Sequence, residues 1–468
     1  MTILDDLRKL LGEAHVLTGS DTDKWRVDWT GAYTADPIAI VRPANTQEVS
    51  AILKIAHATQ TPVVAVSGNT GLTGATSGEG MIYLSLERLN TISEIDANSR
   101  TATVGAGVVL STLHQAADDH DLIFPLSFGA KGSAMIGGVL STNAGGSNVV
   151  RYGNTRDLCL GIEVVMADGR IVNLMSALHK DNSGFNLRHL MIGAEGTLGV
   201  ITAAVMRLFP KPRAYATAMV AVPELEQALG LLHKLQDATG GAVEAFEYMP
   251  RPYIDLHKRM KDSREPFDDV YDTNILVEVG ATARDEAAPG PEGQPLVVSK
   301  LETILAEMFE AGDVLDAVVA QNEAQRTEMW KRREEAGEIL FLEPPFVNCD
   351  VALPLDKVAE FEKRITPKLH AIDPEGYEIN VAHLGDGNVH YTAFTKRNDP
   401  DTREAITEAV EDVVQELGGS FSAEHGVGIS KLGTMARRKD PAALDVMRAI
   451  KRALDPKNIL NPGKVIPL

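Results

Sequence analysis

Apolar residues recur along this chain with two periods, and the change between them divides it. Val49, Ile52, Leu53 and Ala56 lie on one helical face, and Asn45 with Glu48 has capping-box spacing, so the pattern predicts a helix over 46–59. A short apolar strand, Val63 to Val66, leads into a glycine-rich stretch and then a strand-like run over 81–85. Residues 92–95 and 101–104, joined by Asp-Ala-Asn-Ser, read as a hairpin; Asp168-Gly169 between 162–166 and 171–174 reads as a tighter one. Residues 1–36 read as a helix followed by a segment bearing Trp25, Trp29 and Tyr33. The first two hundred residues are thus sheet-rich and glycine-rich.

After Pro210-Lys211-Pro212 the texture changes. Strand-like runs at 214–222, 243–249, 274–279, 347–353 and 377–383 alternate with helical patterns at 224–237, 301–310, 323–340, 355–371 and 402–417. Two blocks share a strand, helix, strand order, which points to a duplicated unit. Residues 281–295, with prolines, glycines and acids, read as an exposed loop.

Composition narrows the class. A chain of 468 residues, 44% apolar and 5% aromatic, supports two or three domains and an ordinary globular enzyme. Cys159 and Cys349 form neither a metal pattern nor a disulfide framework, as suits a reducing compartment. The N-terminal segment is too acidic for a targeting peptide, and no apolar run approaches a bilayer span, so a cytoplasmic protein is expected. The net charge of −20 argues against nucleic acid as a partner and means that an anionic substrate needs a local cation or metal.

Chemistry concentrates in four stretches. Between Gly129 and Gly153 stand seven glycines, a density suited to backbone that must approach a flat, phosphate-bearing group. The earlier run Gly68-Asn69-Thr70-Gly71-Leu72-Thr73-Gly74 can turn successive N–H groups into an anion nest. Its glycines join two strands rather than opening a helix, so it is not the dinucleotide fingerprint. In Asn380-Val-Ala-His-Leu-Gly-Asp-Gly-Asn-Val-His-Tyr391, a four-residue turn over 385–388 would pair Leu384 with Val389 and set His383 opposite His390. Those imidazoles either share a cation or simply pack in a hairpin. Phe421-Ser-Ala-Glu-His-Gly-Val-Gly428 adds Glu424 and His425; two histidines and a carboxylate with open positions suit catalytic Zn or Mn.

The two glycine stretches, together with Arg151-Tyr152-Gly153, 161–169 and Ile192-Gly-Ala-Glu-Gly-Thr-Leu-Gly-Val-Ile201, resemble the FAD-binding domain of the vanillyl-alcohol oxidase superfamily. From Asp28 to the C-terminus the chain is similar to the FAD-linked D-2-hydroxy acid dehydrogenases, the family that includes D-lactate dehydrogenase, the glycolate oxidase flavoprotein subunit and D-2-hydroxyglutarate dehydrogenase. The resemblance implies an α+β fold: an FAD-binding domain over 1–210, onto which 421–468 folds back, and a cap domain over 211–420 with a large antiparallel sheet flanked by helices. It implies FAD contacts from Gly68, Asn69, Thr70, Gly71, Leu72, Thr73, Gly132, Ser133, Gly137, Gly138, Thr142, Asn143, Gly145, Gly146, Ile201 and Asn461. His57 is the one histidine between Glu48 and Leu113 and lies on the predicted helix, so FAD is expected to be non-covalent.

In the same family, HxGDGNxH and EHG are the metal and base motifs. The resemblance therefore makes His383, His390 and Glu424 ligands of Zn or Mn and His425 the general base, with hydride passing to flavin N5 and a 2-oxo acid as product. Arg333, in Met329-Trp-Lys-Arg-Arg-Glu-Glu335, aligns with the arginine that clamps the substrate carboxylate; Arg332 reads as solvated charge. Three positions depart from the family pattern. Asn348 stands where members acting on 2-hydroxyglutarate usually have lysine, Thr392 where they tend to have asparagine, and Ser67 where an arginine is frequent. The first two weaken the case for a dicarboxylate substrate. Family habit implies a homodimer; the flavin's electrons are open to a quinone, a cytochrome, an electron-transfer flavoprotein or oxygen directly. Two rival classes share the fold: a non-redox carbon–oxygen bond-forming synthase, and an FAD subunit active only within a hetero-oligomer.

Overall fold

The structure, a computed structural model, describes residues 2–290 and 293–467. Its first part is built on two sheets. Ala39–Val41, Ile82–Ser85 and Val63–Val66 pair in parallel, with Val16–Leu17 antiparallel at the edge. The helix Thr46–Thr59 lies where the sequence predicts it: the Asn45 side chain accepts the Glu48 N–H at 2.9 Å, and Val49, Ile52, Leu53 and Ala56 are fully buried. A second, five-stranded sheet contains both predicted hairpins, Ile92–Asp96 with Thr101–Gly105 and Cys159–Val165 with Ile171–Leu174. The chain's last segment returns here: Val63 donates its N–H to the Ile459 carbonyl at 2.7 Å and accepts that of Asn461 at 2.8 Å.

The second part is a seven-stranded antiparallel sheet that carries the anticipated duplication. In its first unit, the strands Ala214–Val222, Val243–Pro250, Thr273–Ala281 and Asp316–Val319 stand in the spatial order fourth, first, third, second. That is the order of a split β-α-β unit. The second unit repeats it with Phe346–Ala352, Tyr377–His383 and Asn388–Phe394 in the order second, third, first. Where a fourth strand would stand there is a single bridge, Ala352 to Ser420. The units meet antiparallel through Glu247 and His383.

Their registers coincide. Thr217 and Ala245 flank Glu278 in the first unit as Asp350 and Val381 flank His390 in the second. Glu247 is correspondingly the counterpart of His383.

Alternation assigns the two faces. Phe246, Val277, Ala382 and Val389 point back into the core, against the helices Leu225–Thr239, Leu296–Ala311, Val358–Ile372 and Pro400–Glu416. Full burial of each large apolar side chain there contributes about 1.5–3 kcal/mol. Glu247, Glu278, Asp350, His383 and His390 therefore share the opposite face. At one end of that face an apolar cluster forms around Met249, Tyr253, Leu340, Ile379 and Val381.

Several expectations need amendment. Asp316–Val319 was not anticipated as a strand. The pattern read as one helix over 323–340 is Glu323–Glu334 followed by a short helix, Ala336–Ile339. In the loop expected over 281–295, Gly290 and Gln294 bond across a turn and most of the described positions are exposed or half-exposed; residues 291–292 lie outside the described residues.

Candidate active site

The polar face of the large sheet meets the glycine loops across a cavity of about 1520 Å³. Of the sixteen anticipated cofactor residues, all lie on its wall except Thr73, Gly132, Gly137, Asn143, Gly146 and Asn461. Gly68 packs so closely on the loop opposite that a Cβ would collide with the Ser133 carbonyl, and a Cβ on Gly145 would press on Glu424, 3.0 Å from Oε2. Residues behind the wall hold it. The Thr73 carbonyl accepts the N–H of Ile429 at 2.8 Å, and Asn143 Oδ1 that of Arg156 at 2.9 Å. Asn461 donates to the Ala75 and Glu195 carbonyls at 3.0 and 2.8 Å, while its Oδ1 is buried without a partner among the described residues. A long, glycine-lined cleft with such a buried acceptor behind its wall fits a flavin dinucleotide.

The histidines lie one step from the expected register. His383 pairs with Asn388 and His390 with Val381, so the turn comprises 384–387 rather than 385–388. Gly387, at φ 81°, supports the earlier turn by donating to the His383 carbonyl. The shift is two residues, so both rings keep the same face as diagonal neighbours, with centroids 5.2 Å apart.

Around them the geometry converges on one atom. Glu424 Oε1 lies 3.7 Å from His390 Nε2, 3.7 Å from His425 Nε2 and 4.0 Å from His383 Nε2. Neighbouring ligands on a tetrahedral ion with bonds of about 2.1 Å stand about 3.4 Å apart, so this donor set fits a divalent transition metal. Asp350 also falls within 4.8 Å of His390, Glu424 and His425. Its oxygens are already engaged, however: Oδ2 accepts the backbone N–H of Ala423, Glu424 and His425 at 3.0–3.2 Å, and Oδ1 the Asn388 amide at 2.8 Å. Asp350 thus holds the Glu424 loop from behind and faces Nδ1 of His390 and of His425, each at 3.7 Å.

Glu247 does the same on the other side. It pairs with Arg333 Nε at 2.7 Å and His383 Nδ1 at 2.8 Å, which turns His383 Nε2 toward Glu424. Burial sets the local titration. It penalises the Asp350 anion, yet His425, Lys431 and the backbone N–H groups of the 423–425 loop outweigh it and hold the carboxyl far below its ordinary range. His390 is pushed well below its usual value by burial and then by His383, so it is neutral, as a ligand must be. For His383 burial is overcome by Glu247, and the net shift is upward.

Arg333 is buried beside His383, with Nη2 3.3 Å from Nδ1. Arg332 contradicts its reading as solvated charge: it too is buried, because Nη2 donates to the Arg264 carbonyl at 3.0 Å and Tyr253 bonds its backbone. Asn348 lines the cavity, whereas Thr392 is fully buried behind it and accepts the Asn348 amide at 2.9 Å. Glu247, Asp350 and Glu195 escaped the sequence reading. Glu195 accepts the N–H groups of Val427 and Gly428 at 2.7 and 2.9 Å and so ties the Glu424 loop to the first part of the chain. The available signal was an acid set among apolar strand residues, which for Glu247 and Asp350 marks a buried, partnered charge.

Cleft and cluster together define the class, an FAD-binding oxidoreductase, and comparison with known proteins agrees. Residues 37–175 match the FAD binding domain family and 211–465 the family described as FAD linked oxidases, C-terminal domain. D-2-hydroxyglutarate dehydrogenase of Xanthomonas citri pv. viticola is 34% identical over 95% of this chain and 93% of its own length. The Stutzerimonas stutzeri enzyme of the same name is 34% identical over 99% and 98%, and the mitochondrial enzyme of Bos taurus 34% over 94% and 79%. Among solved structures, p-cresol methylhydroxylase superposes with a TM-score of 0.74 at 17% identity, covering 99% of this chain and 96% of that one. Alkyldihydroxyacetonephosphate synthase gives 0.72 at 17%, covering 98% and 85%. The chain belongs to the FAD-linked oxidases, in the D-2-hydroxy acid dehydrogenase family, with the α+β fold of the vanillyl-alcohol oxidase type. Among the described residues no helix is long and apolar enough to cross a membrane.

Proposed function

We propose that the protein oxidises a small D-2-hydroxy acid to the 2-oxo acid. The observation that carries this reading is the convergence of three histidines on one Glu424 oxygen, beside buried Arg333, on the wall of a glycine-lined cleft. The names of the relatives support the D configuration.

FAD, held non-covalently in the cleft, would supply at N5 the acceptor for the C2 hydride. His383, His390 and Glu424 would hold Zn or Mn, which supplies Lewis acidity toward the substrate hydroxyl. The rest is the work of the chain. Backbone N–H groups of 68–72 and 132–146 would hold the pyrophosphate, Ile201 would border the remainder of the cofactor, and Asn461 would support that wall from behind. Arg333, its Nε fixed by Glu247, turns its guanidinium fork toward the substrate carboxylate. His425 takes the hydroxyl proton, and the carboxylates of Asp350 and Glu424 flank the imidazolium that forms. As O–H and C2–H break, the C2–O bond becomes the carbonyl and the substrate loses one proton and one hydride.

The 1–210 segment with 421–468 forms the FAD domain and 211–420 the cap. We infer a cytoplasmic homodimer that passes electrons to a quinone, a cytochrome or an electron-transfer flavoprotein. Anaerobic titration of the yellow holoprotein with D- and L-2-hydroxy acids tests the reaction class: D-acids should bleach the flavin and L-acids should not. A yellow protein bleached by neither would instead favour a non-redox synthase or a partner-dependent subunit.

A further inference from the structure

Beyond the reacting centre, the sheet's own register describes what the substrate's side chain meets. Asp350, His390 and Val381 form one row across the polar face. Two residues further along each strand, the next row on that face is Asn348, Thr392 and Ile379. Every group in this second row is uncharged. Thr392, Ile379 and Val381 are buried, Val381 and half-buried Asn348 border the cavity, and the wall continues with Ala336, Leu340 and Phe341; the acid on that stretch, Glu338, pairs with Lys261 at 2.8 Å. Val381, Ile379, Leu340 and Ala336 belong to the apolar cluster at that end of the sheet.

The cations on the cavity wall already have partners. Arg333 is paired with Glu247, Arg326 with Glu278 at 2.7 Å, and Lys131 with Glu334 at 3.3 Å. Lys331 is exposed and stands 3.9 Å from Glu335. A second carboxylate on the substrate would therefore enter a neutral, largely apolar end of the site with no unpaired cation among the described residues to receive it. Burying an unpaired carboxylate is costly.

Resting on the reaction proposed above, we infer that the Asn348–Val381 end is a subsite for an uncharged side chain. The preferred substrates are monocarboxylic D-2-hydroxy acids with an alkyl or aryl tail. The Asn348 amide, steadied by Thr392, gives this subsite one neutral hydrogen-bonding group, and Val381, Leu340 and Phe341 give it an apolar wall.

The test compares kcat/KM of the holoenzyme for D-lactate, D-2-hydroxybutyrate, D-2-hydroxyisocaproate and D-phenyllactate with that for D-malate and D-2-hydroxyglutarate. The best uncharged tail should exceed both dicarboxylates by about 100-fold or more. Asn348→Lys should shrink that ratio at least about tenfold by raising the dicarboxylate values. Binding gives a second readout: 2-oxoisocaproate should perturb the flavin spectrum at lower concentration than 2-oxoglutarate. A wild-type preference for D-2-hydroxyglutarate overturns the subsite and leaves the reaction standing. Flavin reduced by no acid at all overturns the reaction, and the subsite with it. An unchanged ratio in a folded, FAD-loaded Asn348→Lys protein removes Asn348 from the subsite.

Discussion

The two units of the large sheet share strand order and register, yet one closes its polar face and the other leaves it open. In the first, Glu278 is saturated: Thr217 donates at 2.6 Å, Arg326 at 2.7 and 2.8 Å, and Trp330 at 2.8 Å. His390, at the equivalent place, has no partner within hydrogen-bonding distance on Nε2 among the described residues; that nitrogen instead faces Glu424 at 3.7 Å. The cause is topological. The first unit completes a fourth strand before the chain departs into the helix Glu323–Glu334, which carries Arg326 and Arg333. The second stops at the single bridge of Ser420, and the freed chain folds over the sheet as the loop that brings Glu424 and His425 to the histidines. A satisfied charge stabilises; donors held apart by a buried scaffold are poised for something that comes between them.

Substitution should separate these roles. The largest effect belongs to His390→Ala, which should keep the fold and FAD but lose bound metal and slow flavin reduction by about 10³-fold, read by elemental analysis and stopped flow. Its counterpart Glu278→Ala should do the opposite: metal content unchanged, but stability lower by about 2–3 kcal/mol in denaturant melts, because Arg326 and Trp330 lose their acceptor. Equal metal loss in both would end the division of labour between the units. His425→Ala should retain FAD and metal while reduction slows by about 10²-fold, and near-normal reduction would remove it as the base. Asp350→Asn should weaken metal affinity about 10–100-fold, since the loop over 423–425 loses its charged acceptor.

The smallest effect lies on the sheet's reverse. There the first unit's helix presents Ala228, Leu231, Leu232 and Leu235, whereas the second unit's helix also carries Glu362, whose carboxyl meets the Tyr248 hydroxyl at 3.4 Å. Burial pushes that carboxyl up to about 8 from its ordinary 4.5. The unfolded chain releases this proton near 4.5 while the folded chain keeps it to about 8, so its contribution is most favourable below 4.5 and declines as pH rises through that window. Glu362→Gln should therefore flatten the decline of Tm with pH and gain most above pH 8; parallel profiles would contradict a half-buried, protonated Glu362.

What sequence conveyed follows the same division. Helix Thr46–Thr59 and the long central strands were legible because their periodicity and caps are local. Both histidines, Glu424 and His425 were legible as motifs, but the register of the hairpin was not, since a four-residue turn can begin at Leu384 or Gly385 and only tertiary pairing decides. The edge strand Asp316–Val319 is four residues long and half-exposed, too short to show alternation. Glu247 and Asp350 gave a weak local signal because their partners Arg333, His383 and the 423–425 backbone lie 73 to 136 residues away. Arg332 and Arg333 looked alike on a charged helix, and both are buried by contacts the helix itself does not contain.

The central claim is that the open second unit is a metal-dependent site for oxidising a 2-hydroxy acid with FAD. Anaerobic flavin reduction by a D-2-hydroxy acid, followed before chelation, after chelation, and after adding back Zn or Mn, tests it most directly. The account predicts bleaching that chelation abolishes and metal restores, with FAD bound throughout. Full-rate bleaching by the chelated, metal-free protein would contradict it.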